Sequence, residues 1–166
     1  ALQTGTANIE KRTQTFDMRP EQERAVKMTV DYFRQQKIDE PDRTPKFLWN
    51  AKMRFGKTFA SYQLAKRMGF KRILILTFKP AVESAWRDDL VSHVDFEGWQ
   101  FISNKDAKNN SLNIDQEYAH ADKSKPIVVF GSFQDMLGTG EGGGIKAKNE
   151  FIHTVSWDIV IFDEYH

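Results

Sequence analysis

Cysteine is absent from all 166 residues, which excludes a disulfide framework and any thiolate metal site. Charge of one sign is hardly in excess: the formal net charge is +1. Nothing global therefore argues for a nucleic-acid partner, and any such surface must be local. No apolar run approaches the length needed to span a bilayer, and no stretch reads as a secretory signal. Together these absences set the expectation of a cytoplasmic protein without a membrane partner. Core-forming material is plentiful, with 40% hydrophobic and 13% aromatic residues, enough for one globular domain.

Two stretches carry chemistry. The first is Trp49 to Thr58, WNAKMRFGKT, in which a hydrophobic run and a turn lead into Gly56-Lys57-Thr58 at the start of a helix. Backbone N–H groups at a helix N-terminus face an anion, a lysine there reaches terminal phosphates, and a small hydroxyl fits the shell of a magnesium ion. Gly56 lets the backbone approach closely. The triplet alone is short enough to arise by chance. A second stretch adds to it: Trp157 to His166, WDIVIFDEYH, where four apolar residues run straight into Asp163-Glu164. This is the pattern of a fully buried parallel strand whose C-terminal end delivers carboxylates to a ligand crevice. Asp163 would hold magnesium and Glu164 would orient and deprotonate an attacking water. An edge strand ending in a solvated acidic turn is the alternative for that tetrapeptide taken by itself.

With both motifs in place, the chain resembles the first RecA-like motor domain of superfamily two helicases and translocases, with Asp163-Glu164-Tyr165-His166 as a DExH box. Within that group it is most similar to the motor parts of DNA restriction enzymes. The resemblance covers nearly everything from Phe16 onward and implies an α/β fold with a parallel sheet flanked by helices, binding ATP and Mg2+. Lys57, Asp163, Glu164 and His166 take the catalytic positions, with Thr58 and Asp163 on the metal. Arg54, Phe55, Gly56, Lys57 and Thr58 form the phosphate loop. Compared with the family's loop, Ala51 replaces the first Gly and Arg54 stands where a second Gly is common, so Arg54 would be strained if its backbone turned left-handed.

Residues 1–15 are polar and without apolar period, an arm or the end of a preceding domain; residues 16–166 form the motor domain. From Phe16, FDMRPEQERAVKMTVDYF predicts a helix beginning at Pro20 and running to about Lys37. Its start resembles the adenine-reading element of these motors, with Gln22 on the adenine edge, Phe16 stacking and Arg19 bracing Gln22. A plain helix cap with solvated polar side chains is the alternative. Phe47 to Asn50 is expected as the first core strand, Lys57 to Met68 as a helix ended by Gly69, and Arg72 to Thr77 as a second buried strand, implying a right-handed crossover. Phe78 to Trp86 is similar to the family's motif Ia, which makes Lys79, and after it Ser84, a nucleic-acid contact; helix capping and a core role for Trp86 are the ordinary reading.

Further along, Gly98 to Ser103 is expected as a short strand and Asn104 to Lys125 as an exposed insertion. His93, His120 and His153 show no ligand spacing. Ile127 to Phe130 is a buried strand, followed by Ser132 and Gln134 in an element resembling one that faces the nucleic-acid strand, or else in a helix cap. The literal GxGxxG at Gly138 to Gly144 follows no strand and has no room for a dinucleotide-binding unit, so it is expected to be a flexible loop. Ile145 to Ile152 should be a short helix.

The leading expectation is an ATP-driven motor acting on nucleic acid, foremost double-stranded DNA, against a second RecA-like lobe and beside a nuclease or methyltransferase part outside this sequence. The alternative is a nucleotide-binding regulatory module that does not translocate. A small-molecule kinase fits less well, since Asp163-Glu164 suits activation of water. The chain begins without Met and stops at His166 within the expected active site, so a piece of a longer polypeptide is expected. In the family, the strand between the phosphate-loop strand and the acidic strand follows the DExH box, so a gap in the sheet is expected as well.

Overall fold

A computed structural model of the protein describes residues 11–136 and 150–163. At its centre, consecutive β-branched and leucine residues build strands whose neighbours all run parallel. Helix α1 spans Pro20–Asp39, α2 Lys57–Met68, β1 Arg72–Thr77 and, after a 3-10 turn at Pro80–Val82, α3 Glu83–Ser92. Then follow β2 (Gln100–Ser103), α4 (Asn104–Asn109), α5 (Ile114–His120), β3 (Ile127–Ser132), α6 (Phe133–Met136), α7 (Glu150–Thr154) and β4 (Ile159–Asp163). The sheet order is β2-β3-β1-β4, with every ladder parallel. The α/β class with helices on both faces is as expected.

Alternation along β1 divides the core. Ile73 and Ile75 point to a cluster with Phe59, Tyr62, Trp86, Leu90, Phe96, Val128 and Phe130, whereas Leu74 and Leu76 point to one with Ile102, Ile114, Val129, Met136 and Ile152. Successive strand side chains face opposite ways, so a strand covered on both sides must be apolar throughout. A third cluster, Val26 and Val30 with Ala60 and Leu64, packs α1 on α2. Gly69 closes α2 in the left-handed conformation, its N–H and that of Phe70 returning to carbonyls of the last turn. That is the usual work of a glycine just past a helix end. Among the described residues no helix is long and apolar enough to cross a membrane.

Several expectations need correction. Phe47 to Asn50 is not a strand. Trp49 is held through its side chain, the indole N–H donating to Thr29 Oγ1 at 2.8 Å, while Leu48 is 84% exposed; no ladder claims this backbone among the described residues. The acidic strand β4 is not buried on both sides, because Val160 and Phe162 are exposed; one face packs Ile159 and Ile161 against the core, and on the other Phe162 stacks on Phe133 while remaining half exposed. Asn104 to Lys125 is no bare insertion but contains α4 and α5, whose Ala107 and Ile114 are buried. Of the expected helix at Ile145 to Ile152, the described part is α7. The glycine-rich segment Gly138 to Gly144 lies outside the described residues. So do residues 1–10, but the rest of the arm is engaged: Thr13 and Gln14 N–H donate to Ser92 O, and Gln14 O accepts from Val94 N–H.

Helices α1 and α2 are also tied at the surface, where the Arg67 guanidinium donates to both carboxylate oxygens of Glu23 at 2.7 and 3.0 Å. The hydrogen bond from Arg67 holds the Glu23 carboxyl below the ordinary carboxylate range. A depressed folded-state pKa gives stability that is present above the unfolded value and lost as pH falls through the folded one. Both side chains are more than a third exposed, so solvent screening leaves about 0.2–1 kcal/mol. Glu23→Gln should lower the melting temperature by about 1–3 °C at pH 7, with the gap from wild type closing below about pH 4. A constant gap across that range, in melts at both pH values, would rule out the ion pair as its source.

Candidate active site

The turn before α2 is tightly bent. Phe55 N–H donates to Lys52 O at 3.1 Å, and the two residues flanking Phe55 are both left-handed, Arg54 at φ 67° and Gly56 at φ 78°. For glycine this is ordinary; for arginine it costs about 1 kcal/mol. The strain foreseen for Arg54 is thus present, and the first turn of α1 holds the loop against it. Arg19 Nη2 donates to Arg54 O at 2.7 Å and Phe55 O at 2.5 Å. Gln22 Nε2 donates to Phe55 O at 2.9 Å and Gly56 O at 3.1 Å. Gln22 Oε1 in turn accepts the Arg19 backbone N–H at 2.8 Å. Three successive carbonyls are therefore engaged from behind. The first N–H groups of α2 have no acceptor within the helix itself, the feature by which helix N-termini bind anions.

Lys57 and Thr58 follow. Lys57 Nζ lies 2.6 Å from Asp163 Oδ1, joining the start of α2 to the end of β4 across more than a hundred residues. The other oxygen of this nearly buried carboxylate, Oδ2, accepts the indole N–H of Trp86 at 2.8 Å. Thr58 Oγ1 donates to Asp89 Oδ2. Beneath them the Tyr62 hydroxyl donates to Trp86 O at 2.8 Å, and burial, with the Asp89 charge second, pushes its pKa well up. Register levels the strand ends: Thr77 pairs with Ser132 on one side and with Asp163 on the other.

The remaining expected residues sort as follows. Phe16 is half exposed, its ring against Phe59 and His93 at centroid distances of 4.8 and 4.7 Å. Phe55 is half-buried against Trp49. Lys79 and Ser84 are exposed just beyond β1, and Ser132 Oγ accepts the Asp135 N–H at 3.1 Å, a capping bond for α6, with Gln134 exposed beside it. Glu164 and His166 lie outside the described residues. His93 is a core histidine: Nδ1 accepts the Asp95 N–H at 3.1 Å and Nε2 is 2.7 Å from Phe16 O, a donor–acceptor pair that assigns the proton to Nε2. His120 and His153 are exposed.

Sequence reading missed Asp89 altogether, and it took Trp86 for core alone. Neither contact had a local signal, since Asp89 meets Thr58 across 31 residues and Trp86 meets Asp163 across 77. A divalent ion fits what is present. Among the described residues no three potential ligands are gathered, but Mg2+ keeps several waters and takes only one or two protein groups beside phosphate oxygens. The Thr58 hydroxyl donates its hydrogen bond to Asp89, which leaves the lone pairs of its oxygen available.

Comparison with known proteins gives the family. The family model described as "Type III restriction enzyme, res subunit" matches residues 15–166. A Mycoplasma pneumoniae protein, named as a type II restriction enzyme and methyltransferase, C-terminus, is 34% identical over 163 residues, which is 94% of this chain and 21% of that protein. The chain thus spans about a fifth of this relative. No solved structure gives a significant match. With a parallel α/β sheet, a lysine-bearing loop at the head of α2 and an aspartate at the end of β4 brought to it, the chain belongs to the res-subunit family of type III restriction enzymes, as a helicase-like motor domain.

Proposed function

We propose that this domain binds ATP with Mg2+ and, in the intact protein, hydrolyses it in response to double-stranded DNA, working against a second RecA-like lobe and beside a nuclease or methyltransferase part in the cytoplasm. The observation that carries the reading is the Lys57–Asp163 pair at 2.6 Å, set where the N-terminus of α2 meets the C-terminal end of β4, the parallel strand next to β1 at the edge of the described sheet. Ligands of open α/β sheets bind at that crevice.

In this reading the N–H groups at Gly56 to Thr58 and the Lys57 ammonium cradle the phosphates, and Lys57 turns from Asp163 to the nucleotide when it binds. Thr58 and Asp163 hold the metal, which when bound neutralises charge on the transferring phosphoryl group. Glu164 accepts a proton from the attacking water. The base end lies over Phe16 and Gln22. Both amide hydrogens of Gln22 are committed to loop carbonyls, so its share in reading adenine falls to Oε1, which has a second lone pair. Lys79, Ser84, Ser132 and Gln134 offer contacts to the nucleic-acid backbone.

Phosphate release by the intact protein, with and without duplex DNA, tests this. Wild type should be stimulated by DNA, and Glu164→Gln should bind ATP normally yet turn over at least a hundredfold more slowly, since general-base catalysis contributes typically about 10²–10⁴. Nucleotide binding with no DNA-stimulated release would favour the regulatory module instead, and unchanged turnover in Glu164→Gln would remove Glu164 from the proposed role.

A further inference from the structure

The hydroxyl of Thr58 needs a partner for its proton. If its oxygen gives a lone pair to a cation, the O–H must point away to an acceptor, and an outer acceptor of this kind fixes the ligand's orientation. Thr58 is nearly buried, so bulk water is a poor candidate. Asp163, the carboxylate nearest the expected metal, has Oδ2 on the Trp86 indole N–H at 2.8 Å, and in the reading above its Oδ1 passes from Lys57 to the cation. The acceptor present is Asp89 Oδ2.

Asp89 is held firmly in that position. It lies three residues beyond Trp86 and one before Leu90, both of which are buried and pack α3 onto the core. Residues at i and i+3 share a helix face, so Trp86 and Asp89 form a pair on α3 facing the active site. Trp86 reaches the strand-end aspartate and Asp89 the first turn of α2. Threonine is stiff at χ1, and one hydrogen bond suffices to set both its rotamer and the direction of its O–H.

From this geometry we infer that Asp89 is a positioning residue for the metal: it holds the Thr58 hydroxyl with its lone pairs toward the cation and adds a negative charge behind it. Asp89 touches neither nucleotide nor metal and acts through Thr58. The inference rests on the nucleotide-site reading above. It predicts a separation that a general packing role would not produce: binding of nucleotide without metal is indifferent to Asp89, while the metal's contribution depends on it.

The test is a Mg2+ titration of the intact protein with a fluorescent ADP analogue, alongside the same binding measured in EDTA. Asp89→Ala should raise the half-saturating Mg2+ concentration by about 10-fold or more, the usual scale for losing an outer partner of a metal ligand, and leave affinity in EDTA unchanged. Asp89→Asn keeps an acceptor but no charge and should fall between, which keeps the question answerable if the alanine variant folds poorly. Asp88→Ala, one residue away with its side chain exposed, should titrate like wild type. A Mg2+ midpoint in Asp89→Ala and Asp89→Asn equal to wild type overturns the assignment to Asp89 alone, as does an equal loss with and without Mg2+. A wild type that binds no nucleotide in either condition overturns the nucleotide site and this inference with it.

Discussion

Lys57→Ala is expected to lower ATP affinity by at least about a hundredfold, taking binding out of reach of titration calorimetry at ordinary protein concentrations. One hydrogen bond to a charged group is worth about 1.5–3 kcal/mol, and an ammonium at the head of α2 can meet more than one phosphate oxygen. The lysine has a second duty, neutralising Asp163 at 2.6 Å. Asp163 is nearly buried, and among the described residues its charge in the variant keeps the indole N–H of Trp86. Removing one partner from a buried pair costs about 3–5 kcal/mol, but Lys57 itself is 38% exposed. Screening on that side brings the expected loss to about 1–2 kcal/mol, a fall of about 2–8 °C in melting temperature. The two effects have separate signatures. Adding Asp163→Asn should recover stability, because the uncompensated charge is gone, without recovering affinity. Equal ATP affinity in wild type and Lys57→Ala would refute the phosphate-loop assignment.

What could be read in advance divides by the distance over which each signal acts. Helix α2 was legible at both ends because Gly56 and Gly69 are local punctuation, and both are left-handed at the helix boundaries. Strands β1 and β3 were legible because a central parallel strand must be apolar throughout. The same rule misled at β4, since four apolar residues in a row do not tell one covered face from two. It misled again at Phe47 to Asn50, where the aromatic content serves Trp49's attachment to α1 rather than a ladder. Helices α4 and α5 were passed over as polar chain, yet each carries a cap: Ser103 Oγ accepts from Asp106 N–H, and Asn113 and Gln116 exchange side-chain and backbone bonds. At the site, Lys57, Thr58 and Asp163 belong to contiguous motifs and could be found. Gln22 was placed on the adenine edge with Arg19 bracing it; what no local pattern announced is that both side chains also donate to the loop's own carbonyls. That bracing explains how Arg54 is kept in a conformation it would otherwise avoid.

The same bracing makes Gly56→Ala a severe change. A Cβ at Gly56 would stand 2.4 Å from Gln22 Nε2 and 3.4 Å from Arg19 Nη2, so the amide that holds two carbonyls must leave or the loop must move. Backbone terms alone nearly cancel: alanine at φ 78° costs about 1 kcal/mol, while the stiffer unfolded chain offsets about 0.4–1 kcal/mol. The clash decides. Expelling the buried Gln22 amide strips one hydrogen bond each from Phe55 O, Gly56 O and the Arg19 N–H; Phe55 O keeps Arg19 Nη2 and Gly56 O keeps the Ala60 N–H, so each loss counts at the net worth of a hydrogen bond, about 0.5–1.5 kcal/mol. These losses share one side chain and do not add fully, so a total of about 2–4 kcal/mol is expected, seen as a fall of about 5–15 °C in melting temperature with loss of nucleotide binding. The mechanism makes a sharper demand in a double-mutant cycle. In a Gln22→Ala background the bonds are already gone and the space is open, so Gly56→Ala should then cost about 1 kcal/mol or less, a coupling of at least about 1 kcal/mol between the two sites. Additive costs would mean that the glycine is required by its backbone alone and that Gln22 does not carry the loop.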